Sequence, residues 1–275
     1  MKRPSTGKLL MHLGLALGVI VSVFPFYWLL VMATSETEDI YQYPPKLTLG
    51  PYLFDNFGRV LDSIDFWGSF GNTVFVALST TVLTLFFASL AGFTFAKFQF
   101  PGRNALFIIL LVTMMVPSQL STVPLFVVMA NLGWVGSFQA LIIPGAAGAF
   151  GIFWMRQYSQ GAIPTDLVDA GRLDGCNHLQ LYANVALPLL RPALAFLGIF
   201  TFIGSWNDYF WPLIILINPD RLTLQPALAQ LNGIYSVDYS MVMAGTLMAT
   251  IPLIVIFLIG SKHFIGNIAA GALKS

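Results

Sequence analysis

The chain has 275 residues, 57% of them hydrophobic and 9% charged, with a mean hydropathy of +0.78. Soluble domains carry about a quarter charged residues, so the composition excludes an ordinary soluble protein and makes the bilayer the solvent. A net charge of +1 with no concentrated basic patch argues against a nucleic-acid partner. The lone Cys176 excludes an intramolecular disulfide, and His12, His178 and His263 are too scattered to be metal ligands.

A helix needs about 20 apolar residues to cross ~30 Å of hydrocarbon. Leu9–Ala33 is the first such run. Its basic start and the small residues of Met32-Ala33-Thr34-Ser35 resemble a signal peptide, but the apolar core is about twice a normal h-region and contains Phe24, Phe26, Tyr27 and Trp28. An uncleaved first span is expected, so that 1–34 forms the N-terminus and first helix. Residues 35–69 are polar, aromatic and proline-bearing (Pro44, Pro45, Pro51), an external segment too short for a domain. Asp55-Asn56-Phe57 and then Phe66-Trp67-Gly68-Ser69 predict a short amphipathic helix at the outer interface, with Trp67 at headgroup depth.

The rest, 70–275, supplies five more spans: Phe70–Ala96, Ala105–Met129, Phe138–Trp154, Ala193–Leu216 and Met241–Ser261. Asn72, Thr73, Ser79, Thr80, Thr81 and Thr84 give the second span a polar strip, and positions 73, 77, 80 and 84 can share one face. That strip either lines a path or bonds back to its own helix carbonyls, the commoner outcome. Pro117 and Pro124 are expected to loosen or kink the third span. The fourth is the shortest, and Pro144, Gly145, Gly148 and Gly151 suit it to close helix packing. Asn218–Ser240 is a second external segment. The fold class expected is an all-α polytopic membrane protein with six transmembrane helices.

Lys2, Arg3, Lys8, Lys97, Arg103, Arg156, Arg172, Arg191, Lys262 and Lys274 fall on one side of this layout, against Lys46, Arg59 and Arg221 on the other. The positive-inside rule then puts both termini in the cytoplasm.

Residues 158–192 are a polar, helix-forming island between the fourth and fifth spans. Pro164-Thr165 is a helix start, with Thr165 as N-cap and Asp166 in the first turn. Leu167, Val168, Ala170, Gly171 and Leu173 make a short helix with a small-residue face, which Asp174-Gly175 breaks. Asn177 and Gln180 restart a helix as a capping box, and Pro188 and Pro192 are expected to end it. An interfacial connector of this size is normally rich in Lys and Arg. The first helix has Asp166 and Asp169 against Arg172 alone, which fits a protein groove better than anionic lipid.

The run Pro164-x-Asp166-Leu167-x-Asp169-Ala170-Gly171-x-x-Asp174-Gly175, continuing to Leu187-Pro188-Leu189-x-x-Pro192, resembles the cytoplasmic coupling loop of binding-protein-dependent ABC importer permeases, whose pattern is Glu-Ala-Ala-x-x-x-Gly. Asp169 stands for the glutamate and Gly171 for the second alanine. Asn72-Thr73, Phe98–Arg103, Met115-Val116-Pro117, Pro124-Leu125-Phe126, Gly151-Ile152-Phe153, Arg156-Gln157, Trp206-Asn207-Asp208-Tyr209 and the Ala269–Ala272 tail extend the likeness to the carbohydrate branch. The nearest pattern is that of the smaller membrane subunit of maltose-type importers.

This resemblance implies a type I ABC importer permease in a bacterial or archaeal plasma membrane. It implies a second homologous permease subunit, a pair of ABC ATPase subunits that bind ATP and Mg, and an extracytoplasmic solute-binding protein that delivers a carbohydrate. It assigns ATPase docking and coupling to Asp166, Asp169, Ala170, Gly171, Arg172, Asp174 and Gly175 within 158–192, the coupling loop of a permease core over 70–275. Thr6-Gly7-Lys8-Leu9 lacks the glycine and hydroxyl of a phosphate-binding loop, so this chain is expected to bind no cofactor and hydrolyse nothing itself.

Sugars are held by Asn, Asp and Ser hydrogen bonds together with aromatic faces. Ser205, Trp206, Asn207, Asp208 and Tyr209, with Asn72, are therefore candidates for the substrate path. The competing reading makes Trp206 and Tyr209 an aromatic belt and Asp208 a helix cap. His12, His178 and His263 are expected to be interfacial or solvated. An ion-coupled secondary carrier is the alternative function, but it normally needs paired internal charges, whereas Asp208 alone is plausibly intramembrane. A membrane enzyme would need an acid or histidine cluster such as H-E-x-x-H.

Overall fold

The computed structural model describes residues 6–233 and 237–272, with side chains over 7–233 and 237–259. Lys2, Arg3 and Lys274 lie outside the described residues, and Lys262, His263 and the Ala269–Ala272 side chains lie outside the described side chains. Among the described residues the fold is helical, with an isolated Asn232–Val237 bridge and no strand.

The first span is α1 (Thr6–Ala33). The outer segment then folds α2 (Thr37–Ile40) and α3 (Leu53–Ser63). The predicted interfacial helix is α3 alone. Phe66–Ser69 instead open α4 (Phe66–Lys97), four residues before the predicted start of the second span.

The third span is not one rod. α5 (Arg103–Met114) stops before Pro117, a 3-10 turn covers Ser118–Ser121, and α6 (Thr122–Asn131) departs at 97°. Pro117 is held extended at ψ 128°, and a proline also drives the residue before it out of the helical region, so the chain breaks rather than kinks. Pro124 falls in the first turn of α6, where its missing N–H is harmless.

The fourth predicted span is also split, into α7 (Gln139–Gly145) and α8 (Ala149–Ala162), with Gly148 extended between them. α8 runs past Trp154 into the predicted polar island and ends at Ile163, whose extended backbone (φ −111°, ψ 108°) is what Pro164 demands. Helix α9 (Thr165–Leu173) follows, with Pro164 rather than Thr165 as its N-cap.

The island's second helix does not end at Pro188 or Pro192. α10 (His178–Gln180), a π-helical turn (Leu181–Ala186) and α11 (Leu187–Trp206) form one 29-residue apolar helix. A π turn pairs each carbonyl with the fifth residue on, so the Asn184 carbonyl need not seek the N–H that Pro188 lacks. The predicted fifth span finishes separately, as α12 (Phe210–Ile215) after a break at Asn207–Tyr209. A 3-10 turn (Pro219–Arg221), α13 (Leu224–Ala229) and α14 (Tyr239–Ala272) complete the chain. Four helices are long and apolar enough to cross a bilayer and the bent α5–α6 pair makes a fifth. α7 and α8 occupy the place of the remaining span, in two pieces.

The chain divides into two units, Met1–Phe66 with Ala227–Pro252 and Trp67–Pro226 with Leu253–Ser275. In the first, buried Asn56 donates from Nδ2 to the carbonyls of Ala33 and Ser35, both at 3.0 Å, satisfying groups that the end of α1 leaves open. Asp238 accepts from Thr37 Oγ1 at 2.6 Å and pairs with Arg59, which holds the outer segment to the start of α14.

In the second unit, α4 and α8 touch backbone to backbone. A Cβ on Gly92 would stand 2.7 Å from the Arg156 amide nitrogen and 2.8 Å from the Met155 carbonyl carbon. Gly151 lies less tightly, 3.1 Å from the Ala88 Cβ. Backbone cannot swing aside as a side chain can, so Gly92→Ala must part the helices. It is expected to destabilise the purified protein by about 1–3 kcal/mol in thermal unfolding. Gly161→Ala, with nothing within 4 Å, is the control expected to cause no loss, and equal effects would contradict this packing.

Candidate functional site

The helix α9 has two unlike faces. Val168 and Gly171 are buried, whereas Asp166, Leu167, Asp169, Ala170, Arg172 and Leu173 are exposed. The C-terminal end is closed by a Schellman motif: the Cys176 amide donates to the Gly171 carbonyl at 2.9 Å and the Gly175 amide to the Arg172 carbonyl at 3.0 Å, with Gly175 at φ +82°. The turn at Asp174-Gly175 is thus the one predicted, and so is the capping box beyond it. There the Gln180 amide donates to Asn177 Oδ1 at 2.9 Å and the Asn177 amide to Gln180 Oε1 at 2.8 Å.

These two caps aim large apolar side chains outward. Leu173 is 89% exposed and Leu179 68%, on a stretch that also carries Asp166, Asp169 and Asp174. Arg172 bonds Asp169 at 3.0 Å and lies 5.3 Å over the Phe98 ring. His178 meets the same ring edge-on at 4.9 Å and remains exposed, as expected for a solvated or interfacial group.

Gly171 does not belong to the exposed face. Its missing Cβ would stand 2.6 Å from Leu181 Cδ2, so this position seats α9 on the π turn. The next residue, Tyr182, is buried and shares a 2.7 Å hydrogen bond with Ser89 of α4. From there Ala186, at the end of the π turn, and Leu190 and Leu197 of α11 run as a buried seam. An exposed polar helix is in this way fixed to two long apolar ones.

The polar candidates further along α11 are not all brought together. Ser205 and Asp208 line an open cleft of about 310 Å³ with Thr80, Thr84, Gly145 and Thr201. Asp208 also lines a second cleft of about 290 Å³, with Ser118, Gln119, Thr122 and Trp211. Trp211 Nε1 donates to the Ala140 carbonyl at 2.9 Å, which fixes its ring. The Trp211 amide donates to Asp208 Oδ1 at a long 3.5 Å, and the Phe210 amide is a second backbone donor to the same carboxyl.

Asn72, Trp206, Asn207 and Tyr209 stand apart from both clefts. Asn72 donates to the carbonyls of Asp220 and Leu222 at 3.2 and 3.0 Å, and Thr73 Oγ1 accepts from the Leu224 amide, so together they tether the outer loop. Trp206 is 1% exposed and packs edge-on against Phe70 and flat against Phe202. Asn207 bonds back to the Ile203 carbonyl at 3.1 Å, and Tyr209 is 42% exposed. The polar strip of α4 divides: Thr73 bonds back to Ser69, Thr84 reaches across to the Gly145 carbonyl at 3.1 Å, and the buried hydroxyl oxygen of Thr80 has no partner among the described residues.

Ser118, Gln119 and Thr122 were not singled out by the sequence. The available signal was Pro117, because a break inside an apolar run frees backbone groups that are tolerated at membrane depth where they line a cavity.

A family model described as the binding-protein-dependent transport system inner membrane component matches residues 84–264. Over the full length of both chains the protein is 32% identical to the arabinooligosaccharides transport system permease protein AraQ of Halalkalibacterium halodurans. It is 36% identical to the lactose transport system permease protein LacG of Rhizobium radiobacter, over 91% of each. Its fold is similar to a chain in the crystal structure of a bacterial ABC transporter involved in the import of the acidic polysaccharide alginate, with a TM-score of 0.83 and 26% identity over 96% of this chain and 100% of that one. With α9, its caps and its seat on the helical core in place, the chain belongs to the family of binding-protein-dependent transport system inner membrane components, as a multi-pass permease subunit.

Proposed function

We propose that this chain is the carbohydrate-translocating permease of an ABC importer, driven through α9 by separate ATP-hydrolysing subunits. The observation that carries the reading is the exposed apolar and acidic face of α9, with Leu173 89% exposed, on a helix seated against the spans. Leucines so placed favour a desolvated protein groove over water. The ATPase subunits bind ATP and Mg; this chain contributes no cofactor. A second homologous permease completes the pathway, and an extracytoplasmic solute-binding protein delivers the sugar. The membrane is the plasma membrane of a bacterium or archaeon, with both termini in the cytoplasm. Relatives named for lactose and arabinooligosaccharides support a carbohydrate cargo.

In this reading nucleotide-driven closure of the ATPases moves α9, and the Gly171–Leu181 seat and the Tyr182–Ser89 bond carry the motion to α11 and α4 as one body. Alternating access by rocking bundles needs such a rigid link.

The first test is Leu173→Glu. Truncating or charging an interface anchor costs about 2 kcal/mol or more, roughly a 30-fold loss of affinity. The expected outcome is loss of the co-purified ATPase with unchanged membrane insertion, and full co-purification with wild-type ATP turnover would defeat the docking assignment. A second test separates docking from transmission. Gly171→Ala pushes Leu181 from its 2.6 Å approach, so the ATPase is expected to remain bound while uptake per ATP hydrolysed falls. Unchanged coupling in that variant would remove Gly171 from the pathway.

A further inference from the structure

The family carries cargoes of different charge, since the relatives include permeases named for lactose and a transporter of an acidic polysaccharide. Membership therefore leaves the charge of this chain's cargo open, and the lining of its clefts bears on it.

Asp208 is the common wall of both clefts. The larger is lined by Thr80, Thr84, Thr201 and Ser205, and the smaller by Ser118, Gln119, Thr122 and Trp211. No lysine, arginine or histidine lines either cleft among the described residues. Arg221 lines a separate pocket with Phe75, Phe138 and Ile142 and donates to the Gly136 carbonyl at 3.2 Å. The Thr80 hydroxyl oxygen is buried without a partner. Burying a hydroxyl unpaired is unfavourable, and this one belongs to a residue that lines the larger cleft. Volumes of about 290 and 310 Å³ fall at the lower end for small-molecule pockets, a size for one ring at a time.

We propose that the passage around Asp208 selects neutral polyhydroxylated rings and rejects anionic ones, uronates and sugar phosphates alike. Ring hydroxyls donate to the carboxyl of Asp208 and exchange hydrogen bonds with the surrounding threonines, serine and glutamine. The apolar face of the ring lies on the fixed indole of Trp211. An anionic ring meets an acid with no compensating cation, and like charges brought together without water are strongly disfavoured. This rests on the importer reading above.

The test uses the importer assembled with its ATPase and partner permease in lipid nanodiscs, free of binding protein. Saturation-transfer NMR is recorded with methyl β-glucoside and methyl β-glucuronide, which differ only at C6. Recovery of the ATPase with the tagged chain is scored first, so a failed importer reading is seen separately from a failed selectivity. The wild type is expected to transfer saturation to the glucoside at least about tenfold better than to the glucuronide, the scale of one unpaired charge contact. Asp208→Asn is expected to bring the two within about twofold as that repulsion is removed. Thr201→Lys, which places a cation in the same cleft, is expected to favour the glucuronide if Asp208→Asn does not assemble. Equal signals from both probes in the wild type, or none from either, overturn the proposal. An unchanged ratio in both variants also overturns it.

Discussion

The close approach of α9 to the π turn at Leu181, permitted because residue 171 has no side chain, is the constraint on which the rest of the architecture depends. A Cβ there would stand 2.6 Å from Leu181 Cδ2, so any larger residue must displace the fully buried Leu181 side chain. Below that contact the packing leaves little slack. Leu181, Ala186 and Leu190 are fully buried, Tyr182 is bonded to Ser89, and α4 meets α8 with backbone against Gly92. Dense packing of this kind transmits displacement instead of absorbing it. The polar surface of α9 and the apolar rods beneath it are therefore packed as one piece.

A second constraint works against the first. A membrane interior tolerates interrupted helices only where the freed backbone faces protein or water, and the chain interrupts three of its predicted spans: at Pro117, at Ala146–Gly148 and at Asn207–Tyr209. Two of these breaks, at Pro117 and at Asn207–Tyr209, border the clefts around Asp208, and glycines of the third line the larger one. Continuous helices near α9 thus give way to broken ones around the two clefts. The proposed importer needs both, since one end would carry force and the other would admit a solute.

Much of this was legible in the residues. The short helix, its Asp174-Gly175 turn and the Asn177–Gln180 box follow from local capping chemistry, which acts over three or four residues and tolerates few alternatives. The apolar runs set the spans because length and hydropathy leave little choice. What sequence could not place was orientation about a helix axis. Gly171 read as part of a docking face because it is small and neighbours Asp169 and Ala170, whereas tertiary packing turns it inward. Trp206 read as a sugar platform for its chemistry, yet its ring is the most buried of its cluster. Pro188 and Pro192 read as terminators, but the preceding π turn accommodates Pro188, and the helix runs through Pro192 to Trp206. Local rules located the elements, and long-range contacts decided which way each side chain faced.

The central claim is that α9 and α11 move as a single body when the ATPases close. It is tested most directly by the distance between spin labels at Thr165, exposed at the start of α9, and Phe200, exposed on α11, measured by pulsed dipolar spectroscopy in the assembled importer without nucleotide and with ATP trapped. The account predicts the same narrow distance in both states. A distance that shifts or broadens on ATP binding would show α9 swinging free of the span beneath it, and would contradict the account.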